Sequence, residues 1–189
     1  MGKILAINGS PHADGNTAHM LSAVLEVAAA AGHETELYQA GGRAVRGCLA
    51  CGGCGRHLGR CATDDWINEL YPKMAAADGI LLGSPTYFAD VTPEIKSVID
   101  RTGFIANHEG KRFSRKIGAA LSPVRRAGSI HTLDTMNHFF LISDMVIPGS
   151  VYWAMSQARE PGEYERDGEG VETVRRLGEN IVWLLEKLA

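Results

Sequence analysis

The sequence predicts a three-layer α/β fold, in which a five-stranded parallel sheet of order 2-1-3-4-5 lies between helices. Short apolar runs alternate with longer amphipathic stretches along the whole chain, the pattern of strand–helix units joined by right-handed crossovers. Three of the predicted strands are almost continuously apolar, as strands covered on both faces must be. The 189 residues can bury about 70% of their unfolded surface. That is enough for one self-sufficient core and too little for two comfortable domains. Residues 1–189 therefore read as one domain, with a cysteine-rich insertion at about 41–63.

The first strand is 3–8 (KILAIN), and a glycine-rich loop follows it. A helix over about 17–31 places Leu21, Val24, Val27, Ala28 and Ala31 at helical spacing. The second strand is 34–39, the third 79–84, the fourth 116–122 and the fifth 145–148. Between them helices are predicted at about 65–77, 93–101, 129–143 and 171–188. Thr92-Pro93-Glu94 makes a strong helix start: a hydroxyl N-cap, proline at the first position and an acid on the positive end of the dipole. Five strands of this kind fit the doubly wound, flavodoxin-like order. Trp66, Trp153 and Trp183 read as packing groups. Residues 157–170 (QAREPGEYERDGEG) are charged and turn-rich, and read as a solvated excursion.

Charge and hydropathy remove several functions. A formal charge of −3 without a Lys/Arg block suits neither nucleic acid nor an anionic membrane. No apolar run approaches the ~20 residues of a membrane span, and the start of the chain lacks a signal-peptide core. The expectation is a cytoplasmic protein.

Ligands of doubly wound sheets bind outside the carboxyl ends of the strands, where strand order reverses. The loops after strands one, three and four carry the unusual chemistry expected there. The first, from Asn8 to Thr17 (NGSPHADGNT), sets glycines, Ser10, Asn16 and Thr17 at a helix N-terminus, an arrangement that suits a phosphate. It is neither a Walker A loop nor a Gly-x-Gly-x-x-Gly fingerprint, and it favours a mononucleotide; a plain capped turn is the alternative. The loop after strand three (GSPTYFADV) sets Tyr87 and Phe88 beside a proline, either to flank a flat heterocycle or to pack on helices. The loop after strand four (LSPVRRAGS) brings Arg125, Arg126 and Gly128 before a helix, either facing an anionic donor or ring carbonyl or standing as solvated charge.

Cys48, Cys51, Cys54 and Cys61 have the spacing C-x2-C-x2-C-x6-C, and several glycines accompany them. In a reducing compartment such a cluster reads as metal-binding or redox-active before it reads as disulfides. A [4Fe–4S] cluster, a tetrahedral zinc and a bare redox-active thiol set are all compatible. The ferredoxin pattern, with x3 and a proline after the last cysteine, is absent.

GSPHADGNT, GSPTYFADVTPEIKSVIDR and SPVRRAG resemble the NADPH-dependent FMN reductase branch of the flavodoxin-like superfamily. The cysteine run resembles its iron–sulfur flavoproteins. The resemblance implies FMN with its phosphate on Ser10, His12, Gly15, Asn16, Thr17 and Ala18. It implies an isoalloxazine on Pro85, Thr86, Tyr87 and Phe88, with the Ser122–Gly128 loop closing the other side through Ser122, Arg125, Arg126 and Gly128. It implies cluster binding for some members. NAD(P)H or ferredoxin would donate electrons, small molecules would accept them, and a homodimer or homotetramer would enclose the flavin. A cluster beside the flavin would divide a hydride into single electrons. Two rival functions are a non-enzymatic electron carrier or redox sensor with a four-cysteine metal site, and a zinc-stabilised binding protein without flavin. The cysteines follow strand two, so they are expected on the flavin-bearing edge or next to a partner subunit.

Overall fold

The computed structural model describes residues 1–188. Strands β1 (Lys3–Asn8), β2 (Glu34–Gln39), β3 (Gly79–Gly83), β4 (Ile117–Val124) and β5 (Met155–Gln157) form one parallel sheet ordered β2-β1-β3-β4-β5. The helices are α1 (Asn16–Ala30), α2 (Gly53–Arg56), α3 (Ile67–Ala76), α4 (Pro93–His108), α5 (Ser129–Ile142) and α6 (Gly168–Leu188).

The continuous apolarity of the central strands follows from two cores, one on each face of the sheet. Along β1, Ile4 and Ala6 join the core made with α1 and α6, which includes Leu21, Val24, Leu177 and Ile181. Leu5 and Ile7 join the core made with α3, α4 and α5, which includes Met74, Val98, Ile105 and Phe140. Side chains that alternate across a strand therefore meet apolar surface in both directions. Among the described residues, no helix is long and apolar enough to cross a membrane.

The edge beside β4 departs from expectation. Residues 145–148 make only a single parallel bridge, Val146 with Ile117. The chain then leaves the edge at Pro148 and returns as Met155–Gln157, which pairs with Ser122–Val124. Proline has no N–H for the ladder, and the detour carries Val151, Tyr152 and Trp153, each at least half exposed. Trp183 is equally exposed, so of the three tryptophans only Trp66 is a buried packing group.

The predicted N-cap of α4 is present: Thr92 Oγ1 accepts from the Ile95 N–H at 3.4 Å. The helix runs seven residues beyond the expected Arg101, to His108. Residues 157–170 are not a free solvated excursion, because Tyr164 is buried against α1 and α6.

Candidate functional site

The glycine-rich loop after β1 is held from beneath by side chains that end strands. Asn8, fully buried, accepts from the Ser10 N–H at 3.0 Å and donates to Gln39 Oε1 at 2.7 Å. Gln39 Nε2 in turn donates to Ser10 O and Gly41 O, at 2.7 and 2.8 Å. From the other side Thr92 Oγ1 donates to Gly9 O at 3.0 Å. Two glycines are required by contact: a Cβ on Gly9 would overlap Ile95, and one on Gly41 would overlap the Ser10 carbonyl. This loop is thus fixed by Asn8, Gln39 and Thr92. Of these, only Thr92 stood out in the sequence, and only as a cap.

A cavity of about 890 Å³ opens at this end of the sheet, lined by Ser10 to Thr17, Pro85 to Tyr87, Pro123 to Arg125 and Ala158 to Pro161. It therefore gathers Ser10, His12, Gly15, Asn16, Thr17, Pro85, Thr86, Tyr87 and Arg125 from three loops. The first-turn N–H groups of α1 have no intrahelical carbonyl and meet the cavity with the positive end of the dipole.

Five expected residues do not line the cavity. Ala18 is a buried residue of α1 itself, and Ser122 lies inside β4 rather than in the loop after it. The Ser122 hydroxyl is 3.0 Å from Thr86 Oγ1, which also accepts from Thr132 Oγ1 at 3.2 Å. These hydroxyls form a buried support for the aromatic loop. Phe88 stands wholly in solvent, with φ of 49°, followed by Ala89 at 64°. Gly128, at φ of 100°, lies so close to Ala89 that a Cβ would come within 3.2 Å of its Cα. It shapes the hairpin, while Arg126 remains exposed. The N–H groups of Thr86 and Tyr87 are spent on Pro123 O and Asp90 O, at 3.2 and 2.9 Å, so they cannot serve a ring edge.

Asn16 is also spoken for. Its Nδ2 donates to Glu160 O at 2.9 Å and its Oδ1 accepts from the Tyr164 N–H at 3.2 Å. Burial pushes the Tyr164 phenol up to about 12. Nearby His19 bridges Asp14, 2.8 Å away, and Glu165. Bonding to Asp14 is the largest influence and raises its pKa; burial opposes it, and Glu165 adds a further upward push. The segment that includes 158–161 is thereby strapped across α1 and forms one wall of the cavity.

The four cysteines line a second, smaller cavity of about 130 Å³, with Arg101, Phe104, Ile105 and His108 of α4 as its floor. Gly52, with φ of 67°, turns the chain into the short helix α2 inside the motif. Asn68 anchors the last cysteine, accepting from Cys61 N at 2.8 Å and donating to Cys61 O at 3.2 Å. Ala50 N donates to Cys48 Sγ, and Arg101 Nε to Cys61 Sγ, each at 3.4 Å. As the side chains stand, no three His, Cys, Asp or Glu among the described residues are grouped to hold a single metal ion. The donor set fits an iron–sulfur cluster: four thiols around a space, with N–H donors aimed at two of the sulfurs.

The two cavities share no lining residue. Arg101 lies nine residues down α4 from Thr92, about 14 Å at 1.5 Å per residue. The cysteines therefore lie beside the C-terminal half of α4, away from the larger cavity, and not on the sheet edge expected for them. The long insertion carries them there after Gly41 has packed on the first loop.

Several known proteins are similar to this chain. An iron–sulfur flavoprotein of Methanocaldococcus jannaschii is 32% identical over 186 residues, covering 95% of each chain. Another, from Methanosarcina thermophila, is also 32% identical over 186 residues, covering 97% of this chain and 95% of its own. Among solved structures, a WrbA-like flavodoxin from Agrobacterium tumefaciens superimposes with a TM-score of 0.69 at 17% identity, over 99% of both chains. The model of the NADPH-dependent FMN reductase family matches residues 2–160. With the flavodoxin-like sheet, the cavity at its switch point and the four-cysteine loop, these likenesses establish that the chain belongs to the NADPH-dependent FMN reductase and iron–sulfur flavoprotein family.

Proposed function

We propose that this protein is an FMN-dependent oxidoreductase that holds one FMN in the larger cavity and a [4Fe–4S] cluster on Cys48, Cys51, Cys54 and Cys61. The observation that carries the flavin reading is the convergence of the Ser10–Thr17, Pro85–Tyr87 and Pro123–Arg125 segments around one space of about 890 Å³. Bound FMN supplies the electron chemistry, taking a hydride and releasing electrons in pairs or singly.

The chain's own part is binding and orientation. The first turn of α1, with Ser10 and Thr17, would hold the phosphate. Arg125 and Arg159 are the arginines of the lining, and offer charge to that phosphate or to an anionic donor. The Ser122–Thr86–Thr132 hydroxyl chain and Gly128 hold the Tyr87 hairpin rigid against which a planar ring can lie. NAD(P)H is the proposed donor, with reduced ferredoxin as a second donor that reaches the cysteine side. Donor and acceptor that use one flavin face in turn give ping-pong kinetics, read as parallel double-reciprocal lines; intersecting lines would contradict this arrangement.

Flavin-stripped protein titrated with FMN should reach its end point at one per chain. Thr17→Val removes a hydroxyl at the proposed phosphate position, worth about 1.5–3 kcal/mol for a bond to a charged group. Its affinity should fall about 10- to 100-fold. Wild-type protein that takes up no FMN, or a variant that binds as tightly, would overturn the assignment.

A further inference from the structure

We infer that Arg101 is the positioning residue of the cysteine site: it fixes Cys61 against the other three cysteines and, through an N–H···S bond, raises the reduction potential of the cluster they hold. The inference rests on the cluster reading above. It begins from a residue in the wrong place for stability alone. The core-facing stripe of α4 runs Ile95, Val98, Thr102 and Ile105, and Arg101 lies among them at 1% exposure. Burying a guanidinium is costly unless every donor is met, and an apolar residue there would often serve stability as well or better.

All five of its N–H donors are met, and each partner lies in or beside the cysteine loop. Nε donates to Cys61 Sγ at 3.4 Å. One terminal nitrogen donates to Asp65 Oδ2 at 2.6 Å and Arg46 O at 3.3 Å. The other donates to Asp65 Oδ1 at 2.8 Å and Thr63 O at 3.0 Å. Arg46 stands two residues before the first cysteine and Thr63 two residues after the last. One rigid fork therefore closes both ends of the loop on itself, with Asp65 setting its plane. Lysine cannot reproduce that geometry. An N–H aimed at a ligand sulfur, with positive charge behind it, stabilises the more negative, reduced form of a cluster, and hydrogen bonds to sulfur are among the factors that set such potentials.

The test compares wild type, Arg101→Lys, Arg101→Met and Asp65→Asn, each purified without oxygen with FMN bound. Iron and sulfide per chain, loss of iron to a chelator and the cluster's midpoint potential are measured. Wild type should hold about four irons per chain. Both Arg101 variants should have a more negative potential. Arg101→Lys shifts even though it keeps the charge, because it loses the directed N–H···S bond, and a merely structural clamp would not move the potential. Iron loss should be about 10- to 100-fold faster in both, the usual cost of removing an outer-shell partner.

Asp65→Asn is judged on iron loss alone, since removing its charge moves the potential upward by itself; it should also lose iron faster. If the Arg101 variants fail to fold, wild-type iron retention in Asp65→Asn overturns the positioning role. Iron-loaded variants with wild-type potential and wild-type retention overturn the role of Arg101 and leave the cluster reading standing. Wild type without iron overturns the cluster reading and the inference with it.

Discussion

Phe88 and Ala89 take consecutive left-handed conformations, φ of 49° and 64°, in the turn closed by the paired backbone bonds of Tyr87 and Asp90. A residue with a Cβ pays about 1–2 kcal/mol for such a conformation, partly offset in a glycine variant by the entropy of its unfolded chain. Ala89→Gly should therefore stabilise the protein by roughly 0.5–1 kcal/mol, seen as a higher urea midpoint at unchanged slope; a lower midpoint would contradict the strain. The sequence hides this feature, because the two left-handed positions are Phe and Ala, neither a residue that usually marks positive φ. For the same reason Phe88 reads as a ring partner from the sequence, whereas the turn carries it into solvent. Asn8 and Gln39 were hidden differently. Each is one polar residue at the end of a strand, and its role emerges only when parallel pairing puts the two side by side.

At the scale of elements, α1 does two jobs, offering its first turn to the cavity and strapping down the segment after β5. Asn16→Ala would leave the buried Tyr164 N–H without its partner, a loss of about 1–3 kcal/mol, and free the wall formed by 158–161. Global stability and FMN affinity should fall together, and an unchanged affinity would show that the strap does not shape the site. His19 adds a pH dependence. Its folded pKa is raised above 6.5 by Asp14 and Glu165, so its stabilisation is complete below about pH 6.5 and is lost as pH rises through the higher folded value. Wild type should lose thermal stability over that window relative to His19→Gln; parallel curves for the two proteins would contradict the bridge. The charged run 157–170 looked solvated because composition records its charges but not the one asparagine, 144 residues away from Glu160, that ties it down. Strands β1, β3 and β4 were legible from runs of apolar residues alone, whereas β2 (ETELYQ) is mixed and is read from its place in the alternation. The fifth was not, since its ladder is three residues of mixed character placed after a detour.

At the scale of the molecule, the two cavities share no lining residue, and the cysteine cavity lies against the Arg101–His108 half of α4. The sheet order and the flavin edge could be read from strand alternation and loop chemistry, because topology dictates where those loops meet. The position of the cysteines could not, because the 41–63 insertion has no periodicity to give its direction. We propose a homodimer or homotetramer, which the exposed Tyr152 and Trp153 of the β5 detour favour; a monomer by light scattering would contradict it. The most direct measurement is an ultraviolet–visible spectrum of anaerobically purified protein, with FMN, iron and acid-labile sulfide counted per chain. The spectrum should show flavin bands over a broad iron–sulfur absorbance, with one FMN and about four irons per chain. A colourless protein that takes up no added FMN would contradict it.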